Sequence, residues 1–249
     1  ILVKIHATSV TSAQVAMRTG YPLFGRLFMG LLKPKNQISG TDYAGEIVAV
    51  GSDVNKYSVG ERVFGSTDIS GGTYTEFVTV PQTGVMLTIP KNINYAEATA
   101  IIDGATTAYP FLVKHASIKS GSKILINGAS GSIGTAAVQL AKYFGAEVTG
   151  VCSGRNVDMV EALGADRVID YTKIDFTKGT RKYDIIFDTV GKSSFKSVKG
   201  ILTENGVYLS PVLGLRMSFD MLMTSGSIGK KAIFDATGIR DNATKLKDF

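Results

Sequence analysis

Lys123-Ile124-Leu125-Ile126-Asn127-Gly128-Ala129-Ser130-Gly131-Ser132-Ile133-Gly134 decides how this 249-residue chain is read. A short apolar run ends at a glycine turn. From 131 to 144, Ile133, Ala136, Ala137, Leu140, Ala141 and Phe144 then recur at helical spacing. Strand, G-x-x-G-x-x-G turn and amphipathic helix in direct succession form the context in which such glycines hold a dinucleotide. Gly131 lacks a Cβ, so backbone can approach a pyrophosphate, and Gly134 lets the helix pack on the strand. The helix N-terminus offers N–H groups and the positive end of its dipole to phosphate. Gly128, Ala129, Ser130, Gly131, Ser132, Ile133 and Gly134 are therefore the first cofactor-binding candidates.

Downstream the alternation continues. Strands are predicted over 147–151, 167–169, 184–188, 207–210 and 231–234, with helices over 156–163 and 192–199. This pattern implies an α/β fold with a doubly wound parallel sheet. The end of the second strand selects the nucleotide. An acid there would bind ribose hydroxyls, but the sequence has Val151-Cys152-Ser153-Gly154-Arg155-Asn156, with Glu147 at the wrong end of the strand and Asp158 inside the next helix. Ser153 and Arg155 suit a 2′-phosphate instead, so NADPH is expected over NADH; Arg155 also reads as an ordinary surface arginine.

Upstream, residues 1–93 are β-rich. Strands are predicted over 1–6, 43–51, 62–65, 74–80 and 85–89, and Gly51-Ser52-Asp53 and Gly71-Gly72 read as turns, a pattern suggesting a small barrel. One short helix is predicted over 12–18, and 20–39 reads as a long loop. Residues 95–115 read as helical in two pieces broken near Gly104.

Composition excludes several classes. Apolar residues make up 44% and charged ones 19%, an ordinary globular balance. The net charge of +6 is evenly spread and basic runs stop at two, so no nucleic-acid partner is expected. No apolar run reaches the roughly 18 residues that span a bilayer. The single cysteine, Cys152, excludes an internal disulfide and any multi-cysteine metal site. It reads as a buried apolar residue in a reducing, cytoplasmic setting. The two histidines, His6 in a strand and His115 at a helix end, assemble no three-ligand zinc site.

Further segments carry a family resemblance. Ile1-Leu2-Val3-Lys4-Ile5-His6-Ala7, Met17-Arg18-Thr19-Gly20, Gly40-Thr41-Asp42-Tyr43-Ala44-Gly45-Glu46, Gly60-Glu61-Arg62-Val63-Phe64-Gly65, the stretch 128–142 and Leu163-Gly164-Ala165-Asp166-Arg167-Val168-Ile169-Asp170-Tyr171 lie in a consistent order. The chain thereby resembles the medium-chain dehydrogenase/reductase superfamily, in particular its zinc-independent quinone oxidoreductase, zeta-crystallin-like branch. The resemblance covers nearly the whole chain.

It implies a GroES-like β-barrel domain over 1–93, incomplete at the chain ends, and a Rossmann NADP-binding domain over 94–240. Residues 241–249 would begin a return to the first domain, and the active site would lie in a cleft between the two. By the same resemblance Thr107 binds the nicotinamide end, Tyr171 the adenosine phosphate, and Thr189, Val190 and Ser210 line the cofactor. Thr11 and Tyr21 are the catalytic candidates, and Asp42 and Tyr43 the substrate-binding ones. Thr11 and Gln14 depart from the family pattern of Asn and an acid. Thr11 also reads as a helix cap, Tyr21 as a loop aromatic and Asp42 as a turn residue.

The expected function is a cytoplasmic, NADPH-dependent, metal-free oxidoreductase passing hydride to a quinone or α,β-unsaturated carbonyl, as a homodimer. An enoyl-thioester reductase and a non-catalytic NADPH-binding protein are the alternatives.

Overall fold

The computed structural model describes residues 1–20, 26, 30, 37–67, 70–226 and 228–235. The expected catalytic Tyr21 and most of the loop predicted over 20–39 lie outside them. The described residues divide into two compact units, 1–103 and 104–235.

In the first unit, β1 (Leu2–Ala7), β2 (Asp42–Ala49), β3 (Arg62–Ser66), β4 (Phe77–Thr79) and β5 (Val85–Thr88) form one antiparallel sheet in the order β4-β1-β2-β3-β5. The strand predicted over 74–80 is shorter than its pattern. Val3, Tyr43, Ile47, Val63 and Met86 pack on one side of this sheet, and Ala44, Phe64 and Val85 on the other. The second group meets Ala98 and Ile102 of helix α2 (Tyr95–Pro110), which is why the first unit reaches Asp103 rather than ending near residue 93. Helix α1 (Ser12–Thr19) follows β1.

The expected break in α2 at Gly104 is not there. Glycine at 104 serves close packing, since a Cβ would lie 2.5 Å from the Ser132 carbonyl oxygen. The irregularity falls at Pro110, which has no N–H to give to the helix; the chain continues as a π-helical turn over Phe111–His115.

The second unit holds six parallel strands: β6 (Lys123–Asn127), β7 (Glu147–Cys152), β8 (Arg167–Asp170), β9 (Tyr183–Asp188), β10 (Leu202–Ser210) and β11 (Lys231–Phe234). Their order is β11-β10-β9-β6-β7-β8, so the chain reverses direction across the sheet between β6 and β9. Helices α3 (Ser132–Tyr143) and α4 (Val157–Ala162) pack on one face with Phe111 and Leu112, against Ile124, Ile126, Val148 and Phe187. Helices α5 (Phe195–Val198) and α6 (Leu215–Ser225) cover the other face, against Leu125, Ile186 and Tyr208. Burying such side chains contributes roughly 1.5–3 kcal/mol each. Helix α6 has no counterpart in the sequence reading.

Candidate functional site: a nucleotide crevice at the sheet's switch point

In an open α/β sheet, ligands bind beyond the carboxyl ends of the strands, where strand order reverses. In the second unit this point lies between β6 and β9, and Gly128 follows β6 directly. Gly128 has φ +81°, and a Cβ there would sit 2.6 Å from Thr189 Oγ1 and 2.7 Å from Val190 Cγ1. The turn is therefore pressed against the segment after β9. The N–H groups of Gly128 and Ala129 both donate to the Val151 carbonyl at 3.0 Å, and Gly131 N–H donates back to Gly128 at 2.9 Å.

At Gly134 a Cβ would overlap the Gly128 carbonyl oxygen and lie 2.7 Å from Ala129 Cα. Only glycine lets α3 start this close to β6. At Gly131, by contrast, a Cβ would meet nothing nearer than 3.5 Å. The space over Gly131 is open, as an approaching pyrophosphate requires. Gly131 caps α3 without a side-chain hydrogen bond, so the cap supplies no competing acceptor to the helix N-terminus. Ser130 and Ile133 are half-buried and Ser132 is exposed. This cradle fits a dinucleotide.

All but one of the remaining cofactor candidates of this unit sit at or just beyond neighbouring strand ends. Thr189 Oγ1 donates to the Asn127 carbonyl at 2.8 Å and is buried, whereas Val190 is exposed. Ser210, buried at the end of β10, accepts from the Val212 N–H at 3.2 Å. Thr107 is buried in α2. Ser153 follows β7 directly, and Arg155 lies exposed in the 3-10 turn Gly154–Asn156. Tyr171, after β8, is exposed and donates its N–H to the Cys152 carbonyl at 3.1 Å.

Three residues of this region escaped the sequence reading. Asn156 Nδ2 donates to Ser130 Oγ at 3.0 Å and to Ser153 Oγ at 3.3 Å, tying the glycine turn to the end of β7. Asp170 approaches from β8: a Cβ on Gly154 would meet its Oδ2 at 2.6 Å. An acid is thus present beside the β7 turn, contributed by the next strand. Hydrogen bonds from the Thr172 hydroxyl and N–H, then Lys173, hold its carboxyl below the usual range.

The third is Asp188, fully buried at the end of β9. Its Oδ1 accepts from Asn127 Nδ2 (2.9 Å), Gly191 N (3.0 Å) and Val190 N (3.3 Å). Its Oδ2 accepts from Ser193 N (2.7 Å) and the Tyr208 hydroxyl (2.9 Å). This carboxylate shapes the segment that touches Gly128. Burial, then the charge of Asp188, pushes the Tyr208 phenol above its ordinary value. A strand-end acid reads like a turn residue, so only the fold singles it out.

The described candidates in the first unit all have structural partners, and one of them is corrected. Tyr43 has no exposed surface; its ring fills the sheet core and its hydroxyl points to the Val85 carbonyl at 3.4 Å. It is a core residue, not a substrate contact. Asp42 is buried as well, with Oδ2 accepting from Ser9 Oγ at 2.6 Å and Oδ1 from Thr41 Oγ1 at 3.3 Å. Burial pushes its carboxyl up, against the lowering effect of those hydroxyls. It fastens the segment after β1 to β2. Thr11 acts as a helix cap: its Oγ1 accepts from Gln14 N at 3.4 Å, and Gln14 Oε1 accepts the Thr11 N–H at 2.9 Å. Gln14 further donates to Thr41 Oγ1 (2.7 Å) and accepts from the Tyr74 hydroxyl (2.7 Å). The departures at Thr11 and Gln14 thus form a local structural pair.

Both histidines have protein partners. His6 stacks on Tyr95 at 4.6 Å, and His115 Nε2 bonds Asp235 Oδ2 at 2.7 Å. Cys152 is buried, and burial, then Asp170 and Glu161, pushes its thiol up. Among the described residues no cluster of three His, Cys, Asp or Glu side chains fits a metal, and none of their helices is long and apolar enough to cross a membrane.

Residues 1–91 match the alcohol dehydrogenase GroES-like domain family, and residues 132–221 match the zinc-binding dehydrogenase family. A quinone-oxidoreductase homolog, chloroplastic, of Spinacia oleracea is 34% identical over 233 residues, covering 88% of this chain and 68% of that protein. The 2-methylene-furan-3-one reductase of Solanum lycopersicum is 35% identical over 215 residues, covering 83% of this chain and 53% of that protein. The solved quinone oxidoreductase of Coxiella burnetii superposes with a TM-score of 0.83 at 26% identity, covering all of this chain and 76% of that one. A dinucleotide-type sheet joined to a GroES-like unit defines the class, and the chain belongs to the medium-chain dehydrogenase/reductase superfamily. Its place there is the quinone oxidoreductase-like branch. The chain spans little more than half the length of several curated relatives it matches, 53% to 60%.

Proposed function

We propose that the chain carries the nucleotide-binding machinery of an NADPH-dependent, metal-free reductase of quinones or α,β-unsaturated carbonyls. The observation that carries this reading is the glycine turn at the switch point, open over Gly131 and closed by Thr189 and Val190 over Gly128. The glycine turn and the N-terminus of α3 hold the pyrophosphate. Ser153, Arg155 and Asn156 receive the 2′-phosphate, Arg155 supplying charge. Tyr171 flanks the adenosine end; Thr107, Val190 and Ser210 line the path toward the nicotinamide. A bound reduced nicotinamide supplies the hydride. The acceptors are taken from the relatives' names, a quinone-oxidoreductase homolog and a furanone reductase with an exocyclic methylene. Both acceptor types develop charge on an oxygen that a hydroxyl or N–H can stabilise without a metal.

The homodimer and the reducing, cytoplasmic setting belong to the same proposal. β11 is an edge strand of the described sheet, and the lone thiol lies in the core.

The test uses the full chain. NADPH and NADH are titrated by nicotinamide fluorescence, and NADPH oxidation is followed with quinones, enones and enoyl thioesters. NADPH is expected to bind at least about tenfold more tightly, the effect of one charge-assisted phosphate contact, and Arg155→Glu to erase most of that margin. Equal binding of the two nucleotides overturns the cofactor assignment. Turnover confined to enoyl thioesters overturns the substrate class but not the nucleotide site.

A further inference from the structure

The turn after β7, which receives the 2′-phosphate in the proposed function, has a carboxylate directly against it. Cys152 pairs with Asp170 across β7 and β8, and the Tyr171 N–H donates to the Cys152 carbonyl at 3.1 Å, so the two strand ends are locked side by side. Gly154 has no positive φ that would call for glycine. What excludes a side chain there is Asp170, whose Oδ2 would lie 2.6 Å from an added Cβ. Asp170 is ionised at neutral pH, since the Thr172 hydroxyl and N–H hold its carboxyl below the ordinary range. Its charge reaches the end of β7, where it adds to burial in pushing up the Cys152 thiol. A fixed negative charge at this point opposes a phosphate.

The two carboxylate oxygens are used differently. Oδ1 accepts from Thr172 N at 3.0 Å and from Thr172 Oγ1 at 2.7 Å. These neutral donors leave the charge in place. Oδ2 faces Gly154 and the Lys173 ammonium, which stands 3.6 Å away. At that distance the two form an ion pair without a hydrogen bond, and the Lys173 side chain is 77% exposed. Lys173 therefore offsets Asp170 while its donors stay free for a second anion. Arg155, exposed on the same turn, makes no ion pair among the described residues. Without Lys173 the charges of Arg155 and Asp170 would cancel; with it these strand ends keep a positive surplus for the phosphate.

Granted the NADPH assignment, on which this rests, we propose that Lys173 is a specificity-determining residue: it neutralises Asp170, so that the turn after β7 takes the phosphorylated ribose of NADPH over the ribose diol of NADH.

The test titrates NADPH and NADH by nicotinamide fluorescence into the full chain and into Lys173→Met, Lys173→Glu and the double variant Lys173→Met with Asp170→Asn. Lys173→Met is expected to weaken NADPH at least about threefold, the scale of one partly screened charge, and Lys173→Glu to weaken it further. NADH should hold in both. The double variant should regain most of the lost NADPH affinity, because the charge that Lys173 offsets is gone. Unchanged NADPH affinity in the Met and Glu variants, or a parallel loss of both nucleotides, overturns the proposal; the second outcome would make Lys173 a merely structural residue of the strand end. A double variant that folds and binds NADPH no better than Lys173→Met overturns it too. Where the double variant fails to fold, the graded loss from Lys to Met to Glu decides. A wild-type chain that binds both nucleotides equally overturns the NADPH assignment itself, whereas a wild-type preference for NADPH that the variants leave unmoved overturns only the role of Lys173.

Discussion

Asp188 is the residue on which the crevice most depends, and its replacement separates stability from selectivity. In Asp188→Ala five donors lose their acceptor. The Gly191 and Ser193 amides lie in a loop that water reaches, so the cost falls mainly on Asn127 and Tyr208, both buried. Each buried donor left unpaired costs about 1–3 kcal/mol. With the small void added, the loss is about 3–5 kcal/mol, the scale of breaking a buried charged network. Asp188→Asn is milder. On the Oδ1 side its new NH₂ would face three N–H donors; on the Oδ2 side the Tyr208 hydroxyl can turn and accept, so only the Ser193 N–H is stranded. The loss there is about 1–3 kcal/mol. Urea denaturation followed by far-UV circular dichroism measures both. Because the Asp188 segment touches Gly128 rather than the Ser153–Arg155 turn, both nucleotides should weaken together and the NADPH-to-NADH ratio should hold. An Asn variant with an unchanged urea midpoint, or one less stable than the Ala variant, refutes the reasoning.

Gly134→Ala forces a Cβ onto the Gly128 carbonyl and Ala129 Cα; backbone must shift, so a loss of about 1–3 kcal/mol with weakened NADPH binding is expected by urea melt and fluorescence titration. Thr11→Ala should cost about 1 kcal/mol through its lost cap, and Thr11→Ser should restore it in thermal melts. Asp166 is the pH probe. Burial raises its carboxyl, but Lys142 and the Val148 N–H outweigh that and hold it below the ordinary value. Its folded pKa is depressed, so its contribution is present above the unfolded pKa and lost as pH falls through the folded one. Asp166→Asn should be less stable by at most about 1 kcal/mol at neutral pH, since the pair is partly exposed, and the difference should vanish in urea melts at acid pH.

The β6 strand, glycine turn and α3 were legible because each residue type there has one dominant physical use: apolar alternatives bury, and Gly131 and Gly134 admit close approach. Tyr43 was named a substrate contact through the resemblance alone; its full burial depends on how the first sheet is covered, which no local pattern reports. Gly104 was read as a breaker from its helix propensity, yet the neighbouring Ser132 backbone makes a small residue the better fit, and tertiary packing overrode propensity. Helix α6 was overlooked although Leu215, Phe219, Leu222 and Met223 recur at helical spacing; that stripe is exposed, and the helix buries Met217 and Thr224 instead. Asn156 and Asp170 act through partners 26 and 16 residues away, at Ser130 and Gly154, distances that no local pattern encodes.

The crevice has two kinds of wall, and they should respond differently to change. Asn127, Asp188, Thr189 and Ser210 are buried polar groups at strand ends. Buried polar groups must be paired, and these are paired with one another or with the loops that border the crevice, as in Thr189 to Asn127 and Ser210 to Val212. Their hydrogen bonds are therefore both fold and site, and substitutions there should move stability and nucleotide affinity together. Arg155, Tyr171 and Val190 are exposed, and Arg155 makes no ion pair among the described residues. Their replacement leaves no buried group unpaired, so it should change which nucleotide binds while leaving the urea midpoint in place. An Arg155→Glu protein that lost stability as well as NADPH selectivity would mean that the exposed wall, too, is held by the fold.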